Sequence, residues 1–357
     1  MDPCTVFPSE LMSSVLSFLP HGSLHSSTLV SLNWNTVATP LLWSSPWTRY
    51  NASWSKILRA ITVTATAISV DNPSDPPKPL HTYGTYVKHL NFSQLYYIVN
   101  DPLIESLAPL CPNLTTLVID SPKQFSDSSL LTLACTPCAG SLRHVVLRSC
   151  TRVTDTSLVA FLHNTTRLER LELTHGTRIT DASLRALARI DARNVRTLSE
   201  FDANFAHIVR VSSEDEAGEG SGLVALVDNC TGISRLQLAQ CGAVTDMILA
   251  RIARRLGGKL RTLNVSGCGA LTDRGLRSLA GCHVLEKLDI SRCRGVLDGG
   301  VLAVVEGCVR LTCIWVSDDY GGISRDCLRG IEDSMWNAGE GEKGGRKVKV
   351  VRGSMAA

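Results

Sequence analysis

Along residues 260–280, LRTLNVSGCGALTDRGLRSLA, the spacing of apolar positions changes partway. Leu260, Leu263 and Val265 alternate with polar residues, which predicts a short strand with one face inward. A Ser-Gly-Cys-Gly turn follows. Leu276, Leu279 and Ala280 then recur at three- and four-residue steps, which predicts a short helix. Strand, turn and helix fit in about 27 residues, and a unit that small cannot bury its apolar face without stacked neighbours.

The same frame recurs from residue 87 onward. Strand starts fall at Val87, Leu114, Leu142, Leu168, Val195, Ile233, Leu260, Leu285 and Leu311, at spacings of 27, 28, 26, 27, 38, 27, 25 and 26. In seven units the first helical apolar residue lies 16 positions after the strand start: Leu103, Leu130, Leu158, Leu184, Leu249, Leu276 and Val301. The fifth unit is longer, and it holds an acidic insert at residues 212–222, SSEDEAGEGSG, expected as a loop outside the regular coils. These features predict an α/β solenoid of about nine units over residues 87–335, a curved parallel sheet lined outside by helices. The basic stretch 336–357 is expected to lack structure.

Residues 1–50 follow another pattern. Leu11, Val15, Leu16, Phe18 and Leu19 recur at helical steps after Pro8-Ser9, and Pro20 closes the run. A second short helix is expected with Leu24 and Leu29 inward, and a third carries Val30, Leu32, Trp34, Val37 and Ala38 toward Trp43. Residues 51–86 form a connector. Trp54, Ile57, Leu58 and Ile61 predict one helix there, and NPSDPPKPLHTYG reads as a Pro-rich loop.

Composition narrows the function. A net charge of +3 over 357 residues gives no global case for nucleic acid or an anionic membrane as partner. The longest apolar candidate, Ile57–Val70, is interrupted by Arg59 and several threonines. MDPCTVFPSE lacks the basic and hydrophobic regions of an export signal, so a cytoplasmic or nuclear location with reduced cysteines is expected.

Of 13 cysteines, Cys150, Cys241, Cys268 and Cys293 lie eight residues after their strand starts, and Cys111, Cys230, Cys282 and Cys308 three before theirs. Recurrence at fixed slots points to packing rather than metal or redox chemistry. Cys135-Thr-Pro-Cys138 has no second pair at zinc spacing. Asp127, Asp155, Asp181, Asp246, Asp273 and Asp298 all lie 13 residues after their strand starts, where a carboxylate is expected to cap its own helix. No G-x-S-x-G elbow or P-loop occurs. A non-enzyme with no cofactor and no metal is therefore expected.

Two resemblances sharpen this reading. Phe7-Pro8-Ser9-Glu10-Leu11, Leu19-Pro20, Leu24, Val30 and Trp34 resemble an F-box, with Phe7 where Leu is usual and Ser31 where Cys is common. The repeats are similar to the cysteine-containing leucine-rich class of F-box proteins, on the LxxLxLxxC and Thr-Asp steps of Leu142–Leu162, Leu168–Ala188, Ile233–Ala253 and Leu260–Ala280. The resemblance implies a substrate receptor of a Skp–cullin–F-box ubiquitin ligase. It implies a Skp-type adaptor on Phe7, Pro8, Leu11, Val15, Leu19, Leu24, Val30 and Trp34, with a cullin reached through that adaptor. A substrate protein is expected on the concave face, where strand alternation places His144, Arg148, Arg170, Glu172, Phe201, Arg235, Lys287 and Trp315. The alternative is a repeat scaffold or inhibitor outside any ligase, its first helices capping the solenoid.

Overall fold

A computed structural model describes residues 8–46, 51–66, 81–176, 178–193, 198–203, 221–317, 322–333 and 348–353. Phe7, the Pro-rich loop at 67–80, Val195 and nearly all of the acidic insert lie outside the described residues. The chain divides into two compact units, Met1–His144 with Asn164–Thr166, and Val145–His163 with Arg167–Ala357.

In the first unit, α1 (Ser9–Leu16), α2 (His21–Ser27) and α3 (Leu32–Ser44) form the expected three-helix module. Pro8 and Pro20 precede the first two helices, where a missing N–H costs nothing. Ser31 caps α3, its hydroxyl accepting from Trp34 N. The module's core is small: Leu16, Leu24 and Ala38, with Leu19, Trp34, Val37, Leu41 and Leu42 packed around them.

The connector helix α4 (Asn51–Thr66) buries Trp54 and Ile61, as its periodicity predicts. It lays Trp54 against Phe92, ring centroids 5.2 Å apart. A single turn, α5 (Tyr83–Tyr86), ties the module to the repeats. Trp43 stacks on Tyr83 at 4.2 Å, His81 Nε2 lies 2.7 Å from Asn35 Oδ1, and Lys88 N donates to Ser44 O at 2.8 Å. Burial pushes the His81 imidazole below its ordinary pKa. Strands β1 (His89–Asn91) and β2 (Thr116–Asp120) then pair in parallel, alternating with α6 (Asp101–Leu107) and α7 (Asp127–Cys135).

Strand β3 (His144–Arg148) meets the division between the units. In the second unit, strands β4 (Arg170–Glu172), β5 (Glu200–Asp202), β6 (Arg235–Gln237), β7 (Thr262–Asn264), β8 (Lys287–Asp289), β9 (Cys313–Val316) and β10 (Lys349–Arg352) are each paired in parallel with the next. The helices are α8 (Asp155–Asn164), α9 (Asp181–Arg193), α10 (Gly222–Asn229), α11 (Asp246–Leu256), α12 (Asp273–Ser278), α13 (Asp298–Gly307) and α14 (Arg325–Asp333). This is an α/β leucine-rich solenoid. Leu263, Leu288 and Ile314 stand in register at zero exposure, and such rows form the continuous core.

Two expectations change. Within the stretch expected to lack structure, residues 349–352 form β10, a tenth strand. Val348 and Val350 alternate inward there, and Lys349 to Arg352 pair with Cys313 to Val316. The fifth coil starts at Leu198, not Val195. Leu198, Phe201 and Ala203 are its buried positions, and Leu171 pairs with Phe201.

The aspartates also act differently from expectation. They are the first residues of their helices, and where a side chain caps the helix it is the Ser or Thr before: Ser126 accepts from Ser128 N at 3.3 Å, Thr180 from Ala182 N at 3.4 Å and Thr272 from Arg274 N at 3.3 Å, whereas Thr245 makes no such bond and Leu297, before Asp298, cannot. The carboxylates reach into the following coil instead. Asp155 accepts from Thr180 N and Oγ1 at 2.8 and 2.5 Å, Asp246 from Thr272 N and Oγ1 at 2.8 and 2.5 Å, and Asp298 from Ser324 N and Oγ at 2.6 and 2.7 Å. Asp101 does the same for Ser126, at 2.8 and 2.7 Å.

The cysteine slots are buried, as packing requires. Their thiols add directional contacts: Cys241 Sγ donates to Ala203 O at 3.3 Å, Cys268 to Leu238 O at 3.2 Å and Cys293 to Val265 O at 3.2 Å. Each bond crosses from one coil to the one before it.

Candidate functional site: a concave cleft and an apolar helical face

In the second unit, strand register sets two rows of side chains on the concave face. One row runs Arg170, Glu200, Arg235, Thr262, Lys287, Cys313 and Lys349. The other runs Glu172, Asp202, Gln237, Asn264, Asp289, Trp315 and Val351. A cleft of about 270 Å³ opens over these rows, lined by Arg148, Arg170, Glu172, Glu200, Asp202, Arg235, Gln237, Thr262 and Lys287 with Leu171 and Phe201.

Its charges form an alternating chain. Glu172 receives Arg148 Nε on one side and Arg170 Nη2 at 3.3 Å on the other. Glu200 lies 3.6 Å from Arg170 Nε and 3.5 Å from Arg235 Nη1. Glu172 is only 3% exposed, and a carboxylate so far from water requires such partners. The arginines keep one end in solvent, with 37, 41 and 49% of the Arg148, Arg170 and Arg235 side chains exposed. Asn264 and Asp289 turn inward instead. Their side-chain oxygens accept from Ser266 N and Ser291 N, both at 2.9 Å, so they brace the chain leaving each strand.

Of the expected concave residues, Arg148, Arg170, Glu172, Arg235 and Lys287 come together here. Phe201 does not present its ring to a partner. At 1% exposure it is core, because its coil begins three residues later than the spacing suggested. Glu200 and Asp202 hold the outward positions in its place. The Leu198-x-x-Phe201-x-Ala203 pattern carried that information. Trp315 is half-exposed on the concave face of β9, outside the cleft lining. His144 is exposed and belongs to the first unit.

The three-helix module offers a surface of another kind. Leu11 is 56% exposed, Val15 63%, Phe18 86% and Val30 60%, and Leu29 and Leu32 are exposed beside them in sequence. Pro8 is exposed too, whereas Leu19 and Trp34 are half-buried against the small core. Leu24, expected to face the adaptor, is buried within that core. Leu29, expected inward, and Phe18 point to solvent because α1 ends at Leu16 and α2 at Ser27. Both residues lie in the turns that follow.

The thiols offer no reactive centre in the solenoid core. Burial pushes Cys241 up to about 12 and Cys293 up to about 11, and it raises Cys268 as well. Cys138 of the Cys-x-x-Cys pair is buried 3.1 Å from Thr136 Oγ1 and also raised, while Cys135 is exposed. Among the described residues, no three His, Cys, Asp or Glu side chains are placed to hold a metal ion.

The Leucine Rich repeat family matches residues 259–280, one coil of the solenoid. The chain is similar to a solved structure of the Rad7 and Elc1 complex in yeast, at 16% identity over 96% of each chain with a TM-score of 0.36. It is also similar to an internalin from Listeria monocytogenes, at 14% identity over 78% of this chain and 87% of that one with a TM-score of 0.41.

Proposed function

We propose that this protein is a non-catalytic receptor of a Skp–cullin–F-box ubiquitin ligase. Its three-helix module docks on a Skp-type adaptor, and its solenoid holds a substrate protein on the concave face. The observation that carries this reading is the outward apolar face of the module, Leu11, Val15, Phe18 and Val30, each more than half exposed. Monomeric surfaces rarely expose so many large apolar side chains on about twenty residues, and large exposed apolar surface marks an interaction site. Burying each such side chain against a partner is worth about 1.5–3 kcal/mol. The solenoid contributes proximity: a captured protein stays at high effective concentration beside the ubiquitin-charged enzyme.

The test is co-purification of the full chain with a Skp-type adaptor. Wild type is expected to retain the adaptor, and Leu11→Arg with Phe18→Arg to lose it while melting like wild type. Failure of the wild type to bind, or equal binding by the variant, overturns the proposal. A scaffold reading has one observation in its favour. The Trp43–Tyr83 stack and the Lys88–Ser44 hydrogen bond join the module to the first coil, as a cap would be joined. Capping alone gives no reason for an outward apolar face.

A further inference from the structure

The cations of the concave cleft are not equivalent. Arg148, Arg170 and Arg235 each face a carboxylate, Glu172 or Glu200. Beyond Arg235 the row changes character. Arg235, Thr262 and Lys287 stand in register on successive strands with no carboxylate among them. Lys287 is exposed, and its same-face neighbour Asp289 is fully buried with an oxygen on Ser291 N. Gln237, the second-row residue on Arg235's strand, lines the same cleft. Two exposed cations, Arg235 and Lys287, thus flank the largely buried Thr262 across two strand spacings, roughly 9–10 Å, a span that a carboxylate or phosphate placed over that position would bridge.

A second feature lies within reach. Trp315 is in register with Asp289 and half-exposed on the same face, two strands from Thr262 and two residues further along. From Thr262 to Trp315 is roughly 12 Å by strand spacing and rise, which an extended chain covers in about three or four residues.

We propose that the Arg235–Thr262–Lys287 end of the cleft binds an extended segment of a partner protein bearing an anionic side chain, carboxylate or phosphate, with an apolar side chain three or four residues away resting on Trp315. The argument is charge complementarity. Arg235 and Lys287 are the exposed charges at this end, while Glu200 is shared by Arg170 and Arg235, Asp289 is buried, and half-buried Asp202 lies one strand away from Arg235. This rests on reading the concave face as the partner-holding surface, and it names the chemistry of what is held. Arginine and lysine here act as paired donors to the anion, and the aromatic supplies a desolvated contact beside them.

The experiment measures fluorescence anisotropy of the full chain with labelled peptides. One carries paired glutamates with a leucine three residues on, one has phosphoserine in place of the glutamates, and one has lysines there. No adaptor is present, so failure of adaptor docking leaves this result untouched, and failure here leaves docking untouched. At least one anionic peptide is expected to bind, more weakly as salt rises, and the lysine peptide not to bind. The preferred anionic peptide identifies which acid is read. Lys287→Glu, at an exposed residue, is expected to keep the wild-type melting temperature and to lose about tenfold or more in affinity, the equivalent of about 1.4 kcal/mol. Trp315→Ala is expected to weaken the leucine-bearing peptide but not one with alanine at that place. Equal binding of the lysine peptide, no binding of either anionic peptide, or affinity unmoved by Lys287→Glu overturns the proposal.

Discussion

Asp246, the first residue of α11, places its carboxylate on Thr272 of the following coil, 2.8 Å from the backbone nitrogen and 2.5 Å from the hydroxyl. The two residues are 26 apart in sequence and hold successive helix starts together. The contact also dictates a small residue nearby: a Cβ on Gly275 would meet Asp246 Oδ1 at 2.3 Å, and one on Gly300 would meet Asp273 Oδ1 at 2.6 Å. Ser183 holds the corresponding position in α9 and donates to Asp155 at 2.5 Å. In α11 the position is Ile248, which is bulky. The preceding helix α10 starts at Gly222 and brings no aspartate there.

Asp246→Ala is therefore expected to destabilise the chain by about 1.5–3 kcal/mol, the worth of hydrogen bonds to a charged acceptor. Gly275→Ala should destabilise it too. The double variant should cost less than the sum of the two, because removing the carboxylate makes room for the methyl. Chemical denaturation of the four proteins checks this, and additivity would contradict it.

Phe201→Ala is expected to cost about 3–5 kcal/mol of stability, as a large buried aromatic does, and to leave peptide affinity nearly unchanged when measured on the folded fraction. Trp315→Ala should behave in the opposite way. The pair separates core from contact surface by melting temperature against anisotropy.

Native thiol labelling tests the cysteine slots. Among the described cysteines, exposed Cys135 is expected to react first and half-exposed Cys313 and Cys327 more slowly. Cys241, Cys268 and Cys293 should react only on unfolding, because burial raises their thiols and withholds the thiolate. Mass spectrometry of labelled peptides reads the order.

The link between module and repeats is expected to weaken in mild acid. Burial lowers the His81 pKa below its ordinary 6.5, so the folded state holds the neutral ring. A lowered folded value gives stability that is full above the unfolded pKa and is lost as pH falls from there through the folded one. Melting temperature should therefore fall from about pH 6.5 downward. His81→Gln should show a shallower fall over that range, and parallel curves for the two proteins would refute the assignment.

Much of this was legible in the residues. Apolar spacing alone located most of the coils, because a solenoid repeats one local solution and each coil meets only its neighbours. The buried cysteine slots were readable for the same reason. The partners of Asp155, Asp246 and Asp298 were not, since a carboxylate at a helix start serves its own helix or the next equally well by spacing. Only the stacking distance chose. Val195 and Leu198 both fit an apolar strand start, and a slip of three residues exchanges the two faces of a strand. Packing of Phe201 against the Leu171 row decided it, bringing Glu200 and Asp202 to the surface. The sequence by itself determined that strands, turns and helices would stack, and that a small apolar module would precede them. Tertiary structure decided which charges remain accessible, because burial and ion pairing depend on neighbouring strands about 4.8 Å away in space and some 25–35 residues away in the chain.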